Sequence, residues 1–103
     1  MSTVSKKDLV DQIARRTGTR RGTVEAVVQH FLDEIVVELA LNNRLEFRDF
    51  GVFEPRTRQA RTAQNPKTLE RVHVPAKRTV KFKMGLKMSN KLNDGIQARE
   101  MRP

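Results

Sequence analysis

VFEPRTRQARTAQNPKTLERVHVPAKRTVKF, residues 52–82, decides the fold. Two runs with a period of two flank a segment of turn formers. Val52 leads one strand towards Arg61, and Arg71-Val72-His73-Val74-Pro75-Ala76 opens another that continues through Val80 and Phe82. Alternation of this kind marks a strand, because successive side chains point to opposite faces. Between the runs, Thr62-Ala63-Gln64-Asn65-Pro66-Lys67-Thr68-Leu69 is rich in turn residues and poor in large apolar groups. The reading is a long antiparallel β-ribbon with its tip at 62–69. With about ten residues per leg at ~3.3 Å each, its reach is ~30 Å.

Upstream of the ribbon, Leu45 and Phe47 alternate with Arg44, Glu46 and Arg48, and Asp49-Phe50-Gly51 turns into the second strand. Before residue 43 the period is 3.6. Ser5-Lys6-Lys7-Asp8 fits a capping box, and Leu9, Val10, Ile13 and Ala14 recur at helical spacing until Gly18. Thr19 is the expected N-cap of a second helix. There Val24, Val27, Val28, Phe31, Leu32, Ile35, Val36 and Leu39 form one apolar arc, Val37 and Leu41 lie on the opposite side, and Asn42-Asn43 ends the run. A chain this small cannot cover so wide an arc alone, so the helix is expected to pack against its own domain on one side and a partner subunit on the other. Val28, Phe31, Leu32, Ile35 and Leu39, with Phe47, Phe50 and Phe53, are the expected dimer interface. Downstream, Gly85 opens a short helix from Leu86 to Leu92, and residues 93–103 read as a polar tail. The expected fold is α+β, one domain of 103 residues with a helical part (5–43), a three-stranded antiparallel sheet and arm (44–84), a C-terminal helix (85–92) and the tail.

The chain carries 21 Lys+Arg and 12 Asp+Glu, a formal net charge of +9. That excess is not spread evenly. Residues 1–54 are net −1, residues 84–103 net +2, and residues 55–83 net +8 with Glu70 the single acid. A solubilising surface needs no such clustering, so the charge points to a polyanion. The chain has no Cys, which excludes disulfides and thiolate metal sites. No apolar run exceeds three residues, so neither a membrane span nor a signal core is expected, and the expected location is the cytoplasm.

All five Phe lie outside residues 54–81. Single-stranded nucleic acid is held by stacking bases on aromatic platforms, and this ribbon offers none. A duplex asks for cations spaced along phosphates and a thin element that enters a groove. Pro66 reads either as a turn proline, Asn-Pro being a common turn opener, or as a rigid apolar wedge that unstacks a base step.

Phe50-Gly51-Val52-Phe53, Arg56, Arg58, Ala60-Arg61, Asn65-Pro66-Lys67-Thr68, Glu70, Val74-Pro75-Ala76, Phe82 and Gly85 together resemble the bacterial HU / integration host factor family. The similarity runs from about Lys6 to Leu92. It implies an intertwined dimer whose ribbon arms embrace the DNA minor groove, with Pro66 the intercalating wedge. Arg56, Arg58, Arg61, Asn65, Lys67, Arg71, His73, Lys77 and Arg78 become arm contacts, and Lys81, Lys83 and Lys87 reach flanking phosphates. Three places depart from the family pattern. Ala63 and Leu69 stand where the family usually has Gly, removing backbone freedom at the tip, and Met88-Ser89 replaces Leu-Lys in the last helix.

Other candidates are weaker. His30 and His73 are 43 positions apart without Cys nearby, so no metal is expected. Asp8, Asp11, Asp33 and Glu34 fall on exposed helix positions, and no phosphate loop or nucleophile elbow is present, so no enzyme and no cofactor are expected. Lys6, Lys7, Arg15, Arg16, Arg20 and Arg21 read equally as solvated faces or as phosphate contacts on the body. The expected function is nucleoid-associated architectural binding of double-stranded DNA, bending and compacting it largely without sequence specificity. A site-specific bender and a basic RNA-binding protein are the alternatives. The partner subunit is a second copy or a related chain.

Overall fold

The computed structural model describes residues 1–100, with side chains through Asp94. The chain divides into two units, Met1–Val37 and a second that begins at Glu38.

In the first unit, helix α1 (Lys6–Thr17) starts at a complete capping box. The Ser5 N–H donates to the Asp8 carboxylate at 3.0 Å, and the Ser5 hydroxyl accepts from the Asp8 N–H at 3.2 Å. The Ser5 backbone bond, and after it the Ser5 side chain, hold the Asp8 carboxyl below the ordinary carboxylate range. The cap is therefore intact at neutral pH and weakens as the pH falls through that lowered value. Gly18, at φ 64°, ends the helix in the left-handed conformation.

Helix α2 (Arg21–Ala40) begins one residue later than a Thr19 cap requires. The Arg20 carbonyl accepts the first helical bond, from the Val24 N–H at 3.0 Å. The Thr19 hydroxyl pairs with that of Thr17 at 2.9 Å, and its N–H closes α1 on the Ala14 carbonyl. Thr19 thus finishes one helix instead of starting the next. Arg21 ties the two helices together, donating to Asp11 at 2.6 Å and to Glu25 at 2.9 Å. Lys6 donates to Gln29 across the same pair.

Val10, at 0% exposure, and Val24, at 6%, are the buried hydrophobic side chains among the described residues. Much of the apolar arc of α2 is exposed: Val27, Phe31, Leu32 and Val36 are 40–65% exposed, and Val28, Ile35 and Leu39 are half-buried. Val37, on the other side, is also exposed.

In the second unit, α2 ends on Asn42, at φ 66°. Its N–H reaches the Leu39 carbonyl and that of Asn43 reaches Glu38, each at 3.0 Å, a Schellman closure in which Asn replaces the usual Gly. Strands β1 (Leu45–Phe47), β2 (Gly51–Arg58) and, later in the chain, β5 (Lys77–Met84) form an antiparallel sheet in the order β1-β2-β5. Phe53 lies opposite both Leu45 and Phe82, so these side chains share one face. Ring centroids are 4.8 Å apart for Phe53–Phe82 and 5.9 Å for Phe47–Phe53. Phe50 joins the cluster from the turn, 5.7 Å from Phe82. Gly51 makes room for the Phe82 ring. A Cβ there would stand 2.6 Å from the Phe82 ring and 2.7 Å from the Lys83 carbonyl oxygen.

Strands β3 (Arg61–Gln64) and β4 (Arg71–Val74) form a separate two-stranded sheet. The expected continuous ribbon is therefore broken midway, at Gln59-Ala60 on one leg and Pro75-Ala76 on the other. Pro75 has no N–H to donate to a ladder, which fits the break. Helix α3 runs Leu86–Glu100, longer than the expected 86–92. Residues 93–100 of the expected tail are helical, and 101–103 lie outside the described residues.

Candidate nucleic-acid interface

Register sorts the charges of β2 and β5 between two faces. Arg58 is opposite Lys77, Arg56 opposite Thr79, Glu54 opposite Lys81 and Val52 opposite Lys83. Arg56, Arg58, Lys77, Lys81 and Lys83 therefore project from one face, opposed to the face that carries Phe53, Pro55, Val80 and Phe82. Glu54 sits among these cations, 3.6 Å from the Arg56 guanidinium and 3.5 Å from that of Arg44. Both arginines are more than half exposed and Glu54 is half-buried near the surface, so each pair contributes ~1 kcal/mol or less.

Arg78 behaves differently. It lies opposite Thr57, in phase with Val80 and Phe82. Its guanidinium donates to the carbonyls of Leu39 at 3.0 Å and Ala40 at 3.1 Å, and to the Asn42 side chain at 3.4 Å. These are end carbonyls of α2, where the helix dipole favours a cation. Arg78, expected as a DNA contact, closes the end of α2 in the free chain.

Beyond the break, Arg61 lies opposite Val74, and Arg71 opposite Gln64. His73 lies opposite Thr62, two residues from Arg71 and on its face of the arm. Between the two sheets, Arg58, Arg61 and Lys77 line a cleft of about 630 Å³ together with Val74, Pro75 and Ala76. Lys87, in the first turn of α3, lines a second open cleft with Arg48, Phe50, Met88 and Lys91.

The tip is built by local hydrogen bonds. The Asn65 side chain accepts from the Lys67 N–H at 3.0 Å, an Asx turn around Pro66. The Leu69 N–H donates to the Asn65 carbonyl at 2.7 Å, and the Asn65 N–H to the Glu70 carbonyl at 2.8 Å. The Thr68 hydroxyl accepts from the Glu70 N–H at 3.4 Å. Pro66 and Lys67 are thereby presented at the exposed end of the arm. The departures at 63 and 69 have different consequences. Ala63 is an ordinary half-buried strand residue opposite Val72. Leu69 holds φ 61°, a left-handed conformation that costs a side-chain-bearing residue ~1–2 kcal/mol.

Among the residues of the expected subunit interface, Val28, Ile35, Leu39, Phe47 and Phe53 are half-buried, and Phe31, Leu32 and Phe50 are exposed. His30 is exposed on α2. Among the described residues, no group of three or more His, Asp or Glu side chains is placed to hold a metal ion, and no helix is long and apolar enough to cross a membrane. Sequence reading missed the helix-closing role of Arg78 and the pairing of Arg44 with Glu54. The first had a signal, since Arg78 falls in the same period-two phase as Val80 and Phe82.

A helical unit, a small sheet with a cationic face and a proline-tipped basic arm define a class of arm-bearing nucleic-acid-binding proteins. The chain belongs to the bacterial DNA-binding protein family, whose model matches residues 4–93. It is 39% identical over 90 residues to DNA-binding protein HU of Thermus thermophilus, covering 87% of this chain and 93% of the relative. The integration host factor subunit alpha of Mannheimia succiniciproducens is 38% identical over 86 residues, covering 84% and 88%. In structure the chain is similar to Anabaena HU as co-crystallised with DNA, with a TM-score of 0.76, 31% identity, and coverage of 86% of this chain and 97% of that one.

Proposed function

We propose that this protein is an architectural double-stranded DNA-binding protein that acts as a homodimer in the bacterial nucleoid, within the cytoplasm, and catalyses no reaction. The sorting of charge carries the reading: five cations share one face of β2 and β5, and the arm continues from them to a proline tip. Arg56, Arg58, Lys77, Lys81 and Lys83 neutralise phosphates, while Arg61, Lys67, Arg71 and His73 line the arm in the minor groove. Pro66, held rigid by the Asx turn of Asn65, enters a base step and kinks it. Selectivity comes from how readily a duplex deforms, with little reading of base edges. The open apolar arc of α2 and the Phe cluster of the sheet support a second copy as the partner that completes the core.

Titration against an intact and a gapped duplex of equal length, at rising salt, tests this. Tighter binding to the gapped duplex is expected, because its bend is already made. The logarithm of affinity should fall linearly with that of salt, with a slope of about −0.9 per phosphate neutralised. Equal binding to both duplexes would contradict bending, and a preference for an A-form RNA duplex would contradict the choice of DNA.

A further inference from the structure

Leu69 joins two features in one residue. Its backbone holds φ 61°, and its aliphatic side chain is 69% exposed. A solvated Leu on its own needs no explanation. A solvated Leu held in a strained conformation is different, because such strain persists only where the surroundings over-determine it, and it clusters where ligands are gripped. Here the surroundings are specific. The Leu69 N–H is bonded to the Asn65 carbonyl at 2.7 Å, and its carbonyl accepts from the Gln64 side chain at 3.3 Å. The same loop presents Pro66. Lys67 and Arg71 stand two residues to either side of Leu69, so an apolar group is offered between cations.

We infer that Leu69 is a second apolar wedge, packing on the bases and sugars exposed at the step that Pro66 opens. This rests on the DNA-bending reading above. An unstacked step exposes the apolar faces of its bases, and branched aliphatic side chains occupy such steps. The flanking cations match the phosphates on either side of it. A tip with two apolar groups holds the kink open more firmly than proline alone. The cost is the strained backbone at residue 69.

The test compares wild type with Leu69→Gly, Leu69→Asn and Pro66→Ala on end-labelled intact and gapped duplexes, reading affinity and end-to-end distance. Gly and Asn both accept positive φ, so these variants keep the turn and remove the apolar group. The expected result is about tenfold weaker binding to the intact duplex for either Leu69 variant, a smaller bend, and affinity for the gapped duplex within about twofold of wild type. Wild-type bending by Leu69→Asn, alongside a loss in Pro66→Ala, would overturn the inference and leave the DNA reading standing. A wild-type protein that bends neither duplex would overturn both. A shift of Leu69→Asn from dimer to monomer in sedimentation would assign the side chain to a subunit contact and also overturn it.

Discussion

Arg78 lies two residues from Val80 and four from Phe82 on β5, so its side chain leaves the sheet on the apolar side. From there its guanidinium reaches two carbonyls at the end of α2. Arg78→Ala should lower stability by about 1 kcal/mol through loss of that closure. The salt slope of DNA binding should stay unchanged, because no phosphate contact is lost. Lys81→Ala should do the reverse, leaving the melting temperature in place and reducing the slope by about one phosphate. Thermal unfolding and salt titration of both variants separate the two roles; a reduced slope for Arg78→Ala would put this side chain on DNA. Its position was legible in the sequence, since a period of two already phases it with Val80 and Phe82. Its charge masked that phase, and the helix end it meets is 36–39 residues away in sequence, beyond any local pattern. Leu69 was half legible. The lost glycine could be seen, but not that the backbone would adopt the left-handed turn regardless.

The arm consists of two four-residue legs, β3 and β4, cut off from the main sheet by Gln59-Ala60 and Pro75-Ala76. An isolated two-stranded ribbon is marginally stable in water. Amides of residues 61–74 should therefore exchange with solvent far faster than those of α2 in the free protein, and slow when DNA is bound. Hydrogen exchange resolved by residue checks this. Protection of the free arm equal to that of α2 would show that it needs no ligand for order. The two legs and the turn were plain from alternation and from Asn65-Pro66. The break was not, because Pro75 marks a missing donor without saying whether the ladder resumes beyond it. Helix α3 was read too short for a similar reason. Asn90, Asn93, Asp94 and Gly95 are weak helix formers, so local propensity ends the helix where the structure continues it.

Among the described residues, two buried valines do not make a core for a domain of this size. The apolar arc of α2 predicted this shortage, since its width exceeds what the first unit can cover. Val36, 65% exposed in the single chain, is a direct probe. Val36→Asp should convert the dimer to a monomer or an unfolded chain in sedimentation and circular dichroism, because an ionised carboxylate cannot be buried without a partner. A folded dimer of that variant would place the subunit contact elsewhere. In the proposed function, dimerisation sets two arms on one duplex. The most direct measurement is therefore energy transfer across a duplex labelled at both ends, titrated with wild type and with Pro66→Ala. Wild type should shorten the end-to-end distance on saturation, and Pro66→Ala should bind while shortening it less. A duplex saturated with wild type whose ends stay as far apart as in free DNA would mean that the arms coat phosphates without bending.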